Sequence, residues 1–134
     1  MAAPTPVPYH RNVGHTGFLT WTAVWGNADQ LSEAVVIDLS SLEYTNSLTI
    51  KQIDWTCTAG IEFTLLFDAT DSDNEPIMSS ALGVTNKQGT IEPSKFGLDG
   101  IVKTAAGSTG DLLITTTSAA SADEIWLAIH YRVD

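Results

Sequence analysis

The side chains best suited to nucleophilic or general-base chemistry in this sequence are His10, His15, His130 and Cys57. An acyl-transfer site needs a nucleophile, a base and a group that orients the base. Two of the three histidines lie in a Pro-rich N-terminal stretch and the third, His130, falls on the polar face of a strand pattern. No Gly-x-Ser-x-Gly segment is present to expose a serine on a sharp turn. Cys57 closes the segment Trp55-Thr56-Cys57, where a lone cysteine reads as a small buried hydrophobe rather than as a thiolate paired with His130. Gly107-Ser108-Thr109-Gly110 is followed by no lysine and opens a strand, so it reads as a turn and not a phosphate loop. The chain is expected not to be an enzyme and to have no catalytic residues.

Carboxylates concentrate at Asp68, Asp71, Asp73 and Glu75, directly after a strongly patterned strand. Oxygen ligands at Asp71, Asp73, Asn74 and Glu75 suit Ca²⁺ in type. However, Pro76 stands where a calcium loop needs its sharp glycine turn, and no distal bidentate Glu follows. A solvated acidic tip that guards a sheet edge is the expectation, with no metal and no cofactor. Glu62, Asp123 and Glu124 fall on polar faces or turns, as solvated carboxylates do. Trp55 shares the face of Ile53 and is expected in the core. Trp21 and Trp25 are open to either placement, while Trp126 lies opposite the apolar set of its strand, for a partner or under a covering layer.

At 134 residues and 14.3 kDa the chain is one domain with room for a terminal extension. Its formal charge of −10 opposes binding to phosphate backbones, so no nucleic-acid partner is expected. With 43% hydrophobic and 16% charged residues it can bury a core. One cysteine allows no internal disulfide. No stretch approaches the roughly 18 apolar residues of a membrane span, and Met1–Arg11 has no apolar signal core, so synthesis in a cytoplasm without a membrane partner is expected.

Val, Ile and Thr number 35, whereas no good helix formers recur at helical spacing, which points to an all-β chain. Ile61, Phe63, Leu65 and Phe67 alternate on one face. Ile125, Leu127, Ile129, Tyr131 and Val133 do the same at the C-terminus, opposite Trp126, Ala128, His130 and Arg132. Phe18–Trp25, Ala34–Leu39, Leu48–Cys57 and Asp111–Thr117 are further strands, the last with Leu112, Ile114 and Thr116 inward. In Leu48–Cys57 the apolar phase slips between Ile50 and Ile53, which predicts a β-bulge near Gln52. Residues 109–133 read as a hairpin, and residues 76–104 as short strands between long loops. Strands at this spacing, without helices, predict a jelly-roll or Greek-key β-sandwich over residues 18–134.

Residues 1–17 read as an extended Pro-rich N-terminal arm, because Pro4, Pro6 and Pro8 donate nothing to a sheet ladder. Arg11 is the only formal charge before Asp29, with His10 and His15 nearby, so this stretch is neutral to basic on an acidic chain. Tyr9 and Phe18 bracket it with aromatic area. Tyr9, His10, Arg11, Phe18 and Trp126 are therefore the expected partner contacts.

Four stretches carry a resemblance: Leu65–Asp71, Phe96–Gly100, Gly107–Thr117, and Ala119–Asp123 leading into the final apolar strand. Together they resemble the small β-sandwich virion proteins of tailed bacteriophages, the capsid decoration or cement type. The likeness covers about residues 48–133 and leaves the first 47 without a match. It implies a homotrimer seated in the virion where major capsid subunits meet, with the major capsid protein as partner. A carbohydrate- or receptor-binding module that uses exposed Trp side chains is the alternative.

Overall fold

Strand patterning of this strength needs a second apolar surface to cover its inward face, and the chain supplies that surface from its own second sheet. The computed structural model describes residues 4–69, 74–80, 87–102 and 108–134. Among these, the strands are β1 (Val7–Val13), β2 (Thr16–Val24), β3 (Ala34–Ile37), β4 (Leu48–Cys57) and β5 (Glu62–Ala69). They continue with β6 (Glu75–Ser79), β7 (Lys87–Ile91), β8 (Ile101–Val102), β9 (Ser108–Thr117) and β10 (Glu124–Val133). Short 3-10 turns cover Leu39–Ser41 and Pro93–Phe96.

One sheet runs β1-β2-β10-β4-β7, with β8 also on β4; the other runs β3-β9-β5-β6. All pairings are antiparallel. Without β1 and β8, the orders β2-β10-β4-β7 and β3-β9-β5-β6 are the two four-stranded sheets of a jelly roll. The expected all-β sandwich is present.

The core lies between the sheets. Leu19, Trp21, Ala23 and Trp25 face inward from β2 and its end, and Ile125, Leu127, Ile129, Tyr131 and Val133 from β10. Ile61, Phe63, Leu65 and Phe67 oppose them, joined by Leu112 and Ile114 of β9. Trp55, partly buried, meets Phe63 edge-on at 5.6 Å between ring centroids.

The register of β4 on β10 shifts between His130, opposite Gln52, and Tyr131, opposite Ile50. Lys51 is the extra residue, one position from the expected site. The bulge restores a single inward face, so Leu48, Ile50 and Ile53 are all buried.

The expected hairpin over residues 109–133 does not form. β9 pairs with β3 and β5, whereas β10 pairs with β2 and β4 in the other sheet. A hairpin would set Leu112 and Ile114 beside Leu127 and Ile129 on one face, still needing a cover. Placed in opposite sheets, the same residues cover one another. The connection bends at Ser118 (φ 64°) and Ala122 (φ 74°). The Asp123 carboxylate fastens it, accepting from Thr58 Oγ1 at 2.7 Å and Ala120 N at 2.8 Å.

A buried polar knot ties this crossover to the segment before β3. Thr116, 2% exposed, accepts from Leu31 N at 2.9 Å and donates to Gln30 Oε1 at 3.0 Å. Gln30 also donates to Ala119 O and accepts from Ala119 N. Thr116→Val keeps the shape but strands the Leu31 N–H in a dry place. It is expected to lower stability by about 1–3 kcal/mol in denaturant titration.

Within the stretch expected as an arm, residues 7–13 form a strand that lies against β2 as the edge of its sheet. The boundary drawn between residues 17 and 18 falls inside β2. Gly14 (φ 59°) occupies the first of two turn residues between Val13 and Thr16, where a type II′ hairpin turn takes glycine. In such a hairpin the flanking pair is hydrogen-bonded and alternate pairs follow suit. Pro8 therefore falls where a backbone N–H would point away from β2, and its lack of a donor costs the hairpin nothing.

Candidate functional site

Alternation along each strand sorts the side chains of the larger sheet into an inward set and an outward set. The inward set meets the second sheet. The outward set contains Val7, Tyr9, Arg11 and Val13 on β1, then Phe18, Thr20, Thr22 and Val24 on β2. It continues with Trp126 and His130 on β10 and Asp54 and Thr56 on β4. No described element covers this face, and large apolar groups stand open on it: Val7 is 69% exposed, Val13 68%, Tyr9 56% and Trp126 40%.

Four of the five expected contact residues, Tyr9, Arg11, Phe18 and Trp126, share this face. At one end Phe18 meets His130 edge-on at 4.9 Å between centroids, and both line a shallow groove with Tyr9, Arg11 and Val13. At the other end Trp126 sits between Thr22 and Thr56 in a second groove, whose rim includes Val24, Gln88 and Glu124. Arg11 forms no ion pair with the described residues, whereas the Asp54 carboxylate is taken up by Thr90 Oγ1 at 2.6 Å and Gln52 Nε2 at 3.0 Å.

The fifth, His10, points the other way. Its Nε2 lies 2.5 Å from the Tyr131 hydroxyl, and burial lowers the His10 pKa. Burial also pushes the Tyr131 hydroxyl up to about 12. Both shifts favour the neutral pair. Its contribution to stability falls as pH drops below the ordinary histidine value, and falls again as pH rises from about 10 to about 12. His10 thus acts as a fastening for β1. Tyr131 reaches it by lying across Gly17, its cross-strand partner on β2, where any Cβ would stand 1.9 Å from the ring.

The turn after β1 is held as firmly. Asn12 Nδ2 donates to Thr16 O at 3.0 Å, Gly14 N donates to the Glu43 carboxylate at 3.1 Å, and His15 stacks on Tyr44 at 3.9 Å. His15 Nδ1 lies 2.7 Å from Val133 O.

Cys57 is buried and faces the core, and burial raises its thiol pKa, whereas His130 faces outward. The two lie on opposite sides of the sheet and form no nucleophile–base pair. Trp21 and Trp25 are buried, and Trp25 donates its indole N–H to Asp29 O at 2.8 Å. Asp71 and Asp73 of the acidic run, like Gly107 of the turn, lie outside the described residues. Beside them Asn74 Oδ1 accepts from Ala69 N at 2.8 Å. No cluster of three metal-ligating side chains occurs among the described residues.

Sequence reasoning missed Val7, Val13 and Val24 of the outward face; the exposed pair Phe96 and Leu98 lies in the Phe96–Gly100 stretch that it singled out for its resemblance. The period-two series Val7, Tyr9, Arg11, Val13 was the available signal for β1, masked by the prolines around it. Phe96 and Leu98 flank Gly97 (φ 75°) on a loop that Asp99 fastens. Asp99 binds Lys51, the bulge residue, at 2.8 Å and Arg132 at 2.9 Å, and these cations hold its carboxyl below the usual range.

No family model and no curated protein matches this chain. A solved chain from work describing Bacillus endospore appendages as a novel family of disulfide-linked pili is similar over 98% of this chain and 91% of its own. Its identity is 11% and its TM-score 0.36.

Proposed function

We propose that this chain is a non-enzymatic structural protein of a bacteriophage virion, decorating the capsid and stabilising contacts between major capsid subunits. The observation that supports it is the uncovered outward face of the larger sheet, on which Val7, Tyr9, Phe18, Val24 and Trp126 gather. Aromatic side chains on a rigid sheet anchor interfaces at low ordering cost, because their positions are set before the partner arrives. The proposed partner, the major capsid protein, and the proposed place, the virion, follow what the resemblance of Leu65–Asp71, Phe96–Gly100 and Gly107–Thr117 to capsid decoration proteins implies. The loop carrying Phe96 and Leu98 adds a second apolar contact point.

The test is to sediment the chain with preformed capsid shells and count bound copies by mass spectrometry. Wild type is expected to saturate discrete sites, and Trp126→Ala to lose about tenfold or more in affinity while melting like wild type, as truncating an aromatic anchor does. Absence of the chain from shells and purified virions would refute the reading. The groove beside Trp126 favours one alternative, a sugar ring stacked on the indole with Thr22, Thr56 and Gln88 at its hydroxyls. Because Trp21 and Trp25 are buried, quenching by glycans that vanishes in Trp126→Phe would identify that alternative.

A further inference from the structure

Edge strands present a row of backbone donors and acceptors, and proteins normally blunt them with lysines, bulges, short length or a covering loop. β1 is seven residues long, forms no bulge with β2, carries one charge and has six of its seven residues exposed. Its outer edge meets no other strand among the described residues. Nor is it loose: His10 is fastened to Tyr131, Asn12 to Thr16 and the turn to Glu43. A strand held in place, with apolar side chains and a free edge, is a preorganised template for another strand.

We infer that β1 pairs with β1 of a second copy, antiparallel about a two-fold axis at His10, joining the larger sheets of two chains. The hairpin geometry points the N–H groups of His10 and Asn12 away from β2, together with the carbonyls of Pro8, His10 and Asn12. About an axis at His10, His10 meets His10 of the second copy and exchanges two hydrogen bonds with it. Asn12 N–H then meets the Pro8 carbonyl of the second copy, so the missing proline donor leaves only two acceptors to solvent. On the outward face, Tyr9 falls opposite Arg11 of the second copy, a cation over an aromatic ring, and Val7 falls opposite Val13.

Registers centred elsewhere do worse. An axis at Arg11 sets arginine against arginine, and an axis at Tyr9 pairs only five residues of each strand. Charge is compatible with the same place. On a chain of net charge −10, β1 is an edge segment whose only formal charge is positive, so two copies meet there without bringing carboxylates together. A two-fold contact of this kind is isologous and closes at two copies.

This inference does not rest on the capsid reading, and its test needs no shells. Sedimentation velocity of the full chain, in a concentration series up to about 1 mM, is expected to show a monomer–dimer equilibrium. Tyr9→Lys sets a lysine opposite Arg11 twice per dimer and is expected to weaken association about tenfold or more. Tyr9→Lys with Arg11→Glu sets opposite charges in the same register and is expected to restore it. Tyr9 and Arg11 are exposed, and unchanged circular dichroism and melting would show that the variants fold. A monomer throughout, a trimer, a dimer indifferent to Tyr9→Lys, or a double variant that stays monomeric would overturn the proposal.

Discussion

Phe63→Ala is expected to destabilise the chain by about 3–5 kcal/mol and to lower Tm by roughly 10 to 20 °C. Phe63 is 1% exposed, on the inward face of β5, and its ring meets Trp55 at 82° between planes. Truncation removes the transfer energy of a buried aromatic, leaves a cavity between two sheets pinned by their own ladders, and deletes the ring pair. The sandwich relaxes poorly around such a hole, because closing it means moving paired strands together. Glu62→Ala, one residue away on the opposite face, is expected to change stability by less than about 0.5 kcal/mol. Denaturant titration of both variants checks the register of β5. Equal losses would mean that the face assignment is off by one residue.

Gly17→Ala is expected to cost about 2–4 kcal/mol, although alanine normally suits a strand better than glycine. An added Cβ would stand 1.9 Å from Tyr131 Cζ and 2.3 Å from its hydroxyl oxygen. The ring must leave its place, and with it goes the contact to His10 that fastens β1. The double variant Gly17→Ala/Tyr131→Leu removes the clash. Its loss is expected to be smaller than the sum of the two single losses, as measured in a double-mutant cycle. Strict additivity would show that Gly17 matters for a reason other than the room it leaves for Tyr131.

Both predictions concern residues legible to different degrees in the sequence. Phe63 is announced by its neighbours, since Ile61, Phe63, Leu65 and Phe67 leave no other face to bury. Gly17 is silent. Its partner Tyr131 lies 114 residues away in sequence, and only the β2–β10 register brings them together. The contact face has the same mixed character. Trp126 stands out by its phase within β10, and Tyr9, Arg11 and Phe18 by composition. That Phe18 meets His130, that His10 turns inward, and that Val7, Val13 and Val24 join the same face are facts of cross-strand register.

The sequence by itself determined the all-β class, the inward faces of β5, β9 and β10, and the bulge in β4 to within one residue. Each follows from local alternation, and a period of two is a property of neighbours along the chain. The tertiary structure alone decided which strand lies beside which. It sent β9 and β10 to opposite sheets, because their apolar faces gain more by covering each other than by lying side by side. It also laid β1 against β2, because backbone pairing satisfies the edge of β2 while Pro8, the one proline of β1, points its missing donor away. Pairing depends on residues far apart in sequence, and that information is carried by the core as a whole.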